Sequence, residues 1–178
     1  MSAMPEHIIL WRHAEAEELF DGNDMLQRDM QRALTQKGQR QAADMAKWLK
    51  PQLPKASILQ CSPALRAFQT AEAIQDVGKS CKININQALR PDASLNMVLA
   101  NIAQFNSCKC LVLVGHQPWL GQLAAHLLGI SMTEHAKYLP IKKGAIWWLR
   151  LNKTLDKARE EAVSARYIMH TVQKPSLL

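Results

Sequence analysis

The stretch Ile8-Ile9-Leu10-Trp11-Arg12-His13-Ala14-Glu15 stops an apolar run abruptly at an arginine and a histidine. The run reads as a buried strand. Arg12 and His13 then lie just past its carboxyl end, the rim where open α/β sheets bind ligands. A histidine there can serve as nucleophile, base or metal ligand. The arginine beside it points to an anion, because its fork of donors matches phosphate oxygens. Taken alone, the stretch reads more readily as a strand that ends in solvent. The rest of the chain changes that balance.

The chain has 178 residues, a formal net charge of +7 and four cysteines. That length suits one domain with a real core, and residues 1–178 are expected to form it. No run reaches the ~20 apolar residues of a membrane span. The first seven residues lack the basic-then-apolar pattern of a secretory signal, so a cytoplasmic location is expected, with no membrane partner. The positive charge favours acidic or phosphorylated partners. Basic residues are scattered and no aromatic stripe interleaves them, so nucleic acid is not the expected partner. Cys61, Cys81, Cys108 and Cys110 form no Cys-x-x-Cys pair. They read as free, mostly buried thiols rather than a zinc site.

Outward from the first strand, Glu15 to Gln31 is a polar surface stretch with Asp21-Gly22-Asn23-Asp24 as its turn signal. Thr35 is a helix cap, and Ala42, Met45, Ala46 and Leu49 give the helix one apolar face up to Pro51. Ser57 to Cys61 is a second strand. Ser62-Pro63 predicts a helix from that point to about Val77, with the serine as cap, Arg66 in the first turn and Gly78 as stop. Lys82 to Asn86 suits an edge strand. A further helix begins near Ser94. Cys110 to Val114 is apolar on both faces, as a central parallel strand should be, and ends at Gly115-His116-Gln117-Pro118, where another helix opens and runs to Gly129. Ser131 to Lys143 reads as a loop. Ala145–Leu151 and Ala165–Thr171 read as strands joined by a charged turn. Residues 173–178 read as a frayed tail.

Three strand ends therefore carry anion-binding chemistry: Arg12-His13, Ser62-Pro63-x-x-Arg66 and Gly115-His116. Neighbouring carboxyl ends in a parallel sheet meet along one edge. Two histidines and two arginines converging there suit phosphoryl transfer, which needs positioning and stabilisation of spread negative charge.

Leu10-Trp11-Arg12-His13-Ala14-Glu15-Ala16 resembles the Arg-His-Gly/Ala signature of the histidine phosphatase, or phosphoglycerate mutase-like, superfamily, and is similar to SixA-type phosphohistidine phosphatases. Arg32-Ala33-Leu34-Thr35-Gln36-Lys37-Gly38 resembles that group's Arg-Pro-Leu-Thr-x-x-Gly segment. Ser62-Pro63-Ala64-Leu65-Arg66-Ala67-Phe68-Gln69-Thr70-Ala71 resembles its Ser-Pro-x-x-Arg-Ala-x-Gln-Thr segment. Gly115-His116-Gln117-Pro118 resembles its Gly/Ser-His-x-Pro segment. The four occur in the family's order across residues 7 to about 129. The resemblance implies a mixed, mostly parallel α/β sheet with helices on both faces and no large cap. It implies a metal-independent, cofactor-free phosphatase in which His13 is the phosphorylated nucleophile and Arg12, Arg66 and His116 bind the phosphoryl oxygens. Arg32 lies near the pocket mouth in this reading.

The resemblance also implies a phosphorylated protein as partner, such as a histidine phosphotransfer domain. It assigns no general acid: Glu15, Glu17, Asp24 and Asp29 are candidates, of which Glu15 reads more readily as a residue that orients the loop or faces water. A labile P–N bond lessens the need for a strong acid. The competing readings are a small-molecule phosphomonoesterase or mutase on the same fold, and a non-catalytic phosphoprotein-binding module.

Overall fold

The computed structural model describes residues 4–18, 25–75, 82–105, 108–133, 135–152 and 166–177. Six strands form one sheet: β1 (His7–Arg12), β2 (Ile58–Cys61), β3 (Ile83–Ile85), β4 (Cys110–Gly115), β5 (Ile146–Leu151) and β6 (Tyr167–Gln173). Their order is β3-β2-β4-β1-β5-β6. The first four are mutually parallel, while β5 and β6 add an antiparallel flank. The fold is the mixed, mostly parallel α/β architecture expected from the sequence, with helices on both faces.

Strand alternation explains the two cores. On β1, Ile9 and Trp11 face one side and Ile8 and Leu10 the other. The first side is covered by α2 (Gln36–Leu49) and α3 (Leu65–Glu72) through Met45, Leu49, Ala67 and Ala71. The second is covered by α4 (Leu95–Ile102) and α5 (Trp119–Leu127) through Val98, Ile102, Leu120 and Leu123. With both faces covered, β4 is buried along its whole length. The adjacent Trp147 and Trp148 go to opposite cores.

Local signals place the helices. The Thr35 side chain accepts from the Gly38 amide and caps α2. Ser94 does the same for α4 through the Met97 amide. Several expectations are corrected. The helix after β2 begins at Leu65, with Ala64 as cap, not at Ser62-Pro63. Ser62 is held in strand pairing, its N–H donating to the Val114 carbonyl at 3.0 Å, so helical geometry starts only after it. The residues after β6 are also not a loose tail. They form a turn over Pro175–Leu177, and the Pro175 ring packs against Gly144. β6 itself sits about two residues later than the apolar pattern suggested. The helix after β2 ends at Glu72 with Ala73 as its C-cap, well short of the expected Val77, and the chain goes on as a turn through Gln75. Gly78, the Asp21–Asp24 turn, Cys81 and the charged turn after Asn152 lie outside the described residues.

Candidate active site

Register brings the three motif-bearing strand ends level. Arg12 pairs with Gly115 across β1 and β4, and Cys61 pairs with Val114 across β2 and β4. The pairing continues past the strands: the His13 amide donates to Gly115 and the Ser62 amide to Val114, both at 3.0 Å. His13, Ser62 and His116 therefore leave the sheet side by side. α3 then supplies Arg66 from its second residue.

The His13 and His116 rings lie 5.0 Å apart, centroid to centroid, tilted by 50°. His13 is 6% exposed and His116 2%, so both are almost wholly removed from water. His13 Nδ1 lies 2.7 Å from the Ala14 carbonyl. A carbonyl can only accept, so Nδ1 carries the proton and Nε2 keeps a bare lone pair. Burial, and then the charges of Arg66, Arg12 and Arg32, lower the His13 pKa to about 3, against the pull of the Ala14 contact. Burial, His13 and the same arginines lower that of His116 to about 2. Both rings are neutral at any physiological pH.

The arginines are fixed from behind. Arg12 Nη1 donates to the Ile141 carbonyl at 2.7 Å. Arg66, 3% exposed, donates from Nη1 to the Asp29 carbonyl and from Nη2 to the Asp29 carboxylate at 2.9 Å. Three buried nitrogens here have no partner among the described residues: Nε of Arg12, Nε of Arg66 and Nδ1 of His116. All belong to residues electrostatically coupled around His13. Buried donors are rarely left unpaired in native proteins. One multivalent oxyanion could meet all three, which fits this site to a phosphoryl group.

The remaining sequence candidates lie at the rim. Asp29, in α1 (Met25–Met30), bridges Arg66 and Arg32; its second oxygen is 2.9 Å from Arg32. Arg32 also donates to the Glu17 carbonyl. Arg32 thus braces Asp29 near the site. Glu15 sends its carboxylate outward, to Lys37 Nζ at 2.9 Å and Thr35 Oγ1 at 3.1 Å. Those contacts, Lys37 first, lower its pKa. A groove of about 420 Å³, lined by Met30, Gln31, Pro63, Leu65, Phe68 and Ile85, adjoins this rim through the chain: Met30 follows Asp29 and Leu65 precedes Arg66. Its wall is mostly apolar.

Residues whose part was not evident from the sequence hold this geometry. Thr70 Oγ1 accepts from the Ala14 amide at 3.0 Å and donates to the Arg66 carbonyl at 2.7 Å, tying the two motif segments together. Gln69 Oε1 accepts from the Leu34 amide. Trp11 is more than strand filling, since its indole N–H donates to the Gly144 carbonyl. Ser62, expected as a helix cap, lies 2.8 Å from His116 Nε2. His7 lies outside this cluster and is structural: its Nδ1 accepts from the Trp148 indole.

Residues 8–91 match a family model described as the histidine phosphatase superfamily (branch 1). An uncharacterized protein of Picosynechococcus sp. strain PCC 7002 is 32% identical over 145 residues, covering 80% of this chain and 84% of that protein. The fold is similar to SixA of Agrobacterium tumefaciens, assigned as a phosphohistidine phosphatase. That match has a TM-score of 0.74 at 21% identity and covers 97% of this chain and 100% of the other. It is also similar to a phosphoserine phosphatase variant of Entamoeba histolytica bound to phosphoserine, with a TM-score of 0.64 at 16% identity, covering 97% and 98%.

Proposed function

The chain belongs to the histidine phosphatase superfamily, and from that premise we propose that it removes phosphoryl groups from protein phosphohistidine through a phosphorylated His13. One observation carries the reading. His13 is buried and neutral, and its Nδ1–H is committed to Ala14, so Nε2 is the free nucleophile. In the first step Nε2 forms a bond to phosphorus in line as the substrate's P–N bond breaks. Arg12, Arg66 and His116 hold the phosphoryl oxygens as charge spreads over them. The leaving imidazole takes its proton from solvent or from its own protonated ring. Water then attacks phospho-His13, releasing inorganic phosphate and restoring the neutral ring.

Two features support a phosphohistidine over an alkyl phosphate ester. Among the described residues, the candidate carboxylates Glu15 and Asp29 are spent on Lys37, Arg66 and Arg32. Neither is free to carry a proton to a poor leaving group, whereas a protonated imidazole leaves readily. The mostly apolar groove beside Arg66 also suits a phosphoryl group borne on a protein surface better than one on a polar metabolite. A small-molecule phosphomonoesterase or mutase is the second reading, supported by the likeness to the phosphoserine phosphatase fold. A non-catalytic phosphoprotein-binding module would not need a bare histidine nitrogen.

The experiment offers a phosphohistidine-bearing protein and a panel of sugar, nucleotide and amino-acid phosphates, and traps the phosphoenzyme. The phosphoprotein is expected to turn over fastest, through an acid-labile intermediate absent from His13→Ala. Undiminished activity in folded His13→Ala refutes the mechanism. Faster turnover of a small phosphate selects the second reading. Binding with no phosphoenzyme selects the module.

A further inference from the structure

Ser62 is buried completely and lies in neither the arginine pair nor the histidine pair. Its hydroxyl has two neighbours. Oγ accepts from the Ala64 amide at 3.2 Å and sits 2.8 Å from His116 Nε2. A serine hydroxyl has one proton to give and two lone pairs. Two arrangements are possible. If His116 donates from Nε2, the serine proton has no acceptor among the described residues and Nδ1 is a buried, unmet lone pair. If serine donates to Nε2, every atom of the hydroxyl pattern is used. The one group then unmet is an Nδ1–H, which matches the two other unmet groups at the site, both N–H donors: Nε–H of Arg12 and Nε–H of Arg66. The second arrangement leaves fewer buried groups unmet, and leaves them all of one kind.

We propose that Ser62 is a positioning residue: by donating its hydroxyl proton to His116 Nε2 it fixes the tautomer in which Nδ1–H serves the phosphoryl group as a neutral hydrogen-bond donor. This rests on the phosphatase reading for its catalytic meaning, but not for its structural content. It gives His116 a stated part, that of a fixed donor and not of an acid or base. It also explains why the chain stays extended through Ser62 and delays α3 to Leu65. The amide of Ser62 must reach Val114 for its hydroxyl to reach His116. The spacing from Ser62 to Arg66 then serves one ligand from both ends.

The test uses the full chain labelled with 15N at histidine. Protonated and bare ring nitrogens resonate far apart, so the spectrum reports the tautomer without any turnover. His116→Gln supplies the assignment. Wild type is expected to show His116 protonated at Nδ1. Ser62→Thr, which keeps the hydroxyl, is expected to retain that pattern. Ser62→Ala is expected to lose it and to bind vanadate about tenfold to a hundredfold more weakly, the range for one hydrogen bond to a charged partner. Ser62→Thr is expected to bind vanadate within about threefold of wild type, on the same scale. A wild-type spectrum with the proton on Nε2 overturns the inference, even if Ser62→Ala does not fold. So does a folded Ser62→Ala with unchanged tautomer and vanadate affinity. If the chain hydrolyses no phosphate yet the tautomer and vanadate binding follow Ser62, the phosphatase reading fails and this inference stands.

Discussion

The two buried histidines make acid pH the most informative perturbation. Burial is the leading cause of both shifts, and it holds His13 at about 3 and His116 at about 2, against 6.5 for a free imidazole. At pH 5 a group with a pKa of about 3 is about 99% neutral, whereas one of 6.5 is about 3% neutral. A neutral His13 ring is therefore available about 25-fold more often at pH 5 than an ordinary histidine would be, relative to pH 7. The stability consequence has a definite sign. In the unfolded chain both imidazoles take up protons as pH falls below 6.5, while in the folded chain neither does until about 3. Protons thus favour unfolding across that window. Stability present above pH 6.5 drains away as pH falls. Between pH 7 and 5 each histidine removes about 2 kcal/mol, roughly 4 kcal/mol together, a large share of a typical domain's stability. Two measurements check this. The ring Cε1–H resonances of His13 and His116, assigned with single variants, should stay flat from pH 8 to 4.5. Denaturant unfolding should show the His13→Asn/His116→Asn double variant losing less stability than wild type between pH 7 and 5. A His13 midpoint near 6.5 in the free protein, or parallel losses in the two proteins, would refute the reasoning and with it the case for a neutral nucleophile.

Two further outcomes follow from the rim and from the backbone beneath it. Asp29 holds Arg66 with a full negative charge, so Asp29→Asn should tighten inhibition by inorganic phosphate by about tenfold, since a like charge a few ångströms away opposes an anion by kilocalories at intermediate dielectric. Unchanged or weaker inhibition would show that Asp29 only positions the guanidinium. Gly38→Ala places a Cβ 1.9 Å from the Glu15 carbonyl oxygen, with backbone rather than a yielding side chain in the way. It should cost at least about 1–3 kcal/mol in denaturant unfolding, and a wild-type midpoint would mean the loop after His13 is not seated on α2.

What the sequence made legible follows from what it encodes locally. An apolar run ending in Arg12-His13, and another ending in Gly115-His116, announce strand ends, and a parallel sheet does the rest by register. The arginines could be placed because Arg66 follows its strand at helix-start spacing. Ser62 was misread because a serine before a proline is equally good as a helix cap and as a hydroxyl for a neighbouring ring, and only the His116 ring, 54 positions away, decides between them. The Asp29 bridge to Arg66 spans 37 positions and has no periodicity to reveal it. The segment before β5 was the least readable. It serves the site through the carbonyls of Ile141 and Gly144, and a main-chain acceptor leaves no mark on residue type. Gly144 is the exception. Its φ of +75° and the Pro175 ring against it favour glycine, yet the reason lies in a turn 31 residues later.

The same atoms that burden the fold give the site its grip. Two guanidinium groups and two neutral imidazoles are gathered at one sheet edge, with Asp29 the carboxylate paired to Arg66. Burying charge with incomplete pairing is costly, and each unmet buried donor adds about 1–3 kcal/mol. The fold tolerates this because the covering layers are otherwise complete, with both faces of β1 and β4 fully packed. On the proposed function, a phosphoryl group entering here would meet the unpaired Arg12, Arg66 and His116 nitrogens, and its binding would relieve a cost already present in the folded chain. The donors are held by backbone carbonyls, by Asp29 and by Ser62, and need not reorganise as charge grows on the oxygens. That preorganisation favours the transition state, where the oxygens carry most charge, over a ground state in which they carry less. In the proposed reaction the leaving imidazole would bring its own basic nitrogen, leaving to the protein only a bare nucleophile and a fixed cationic cradle.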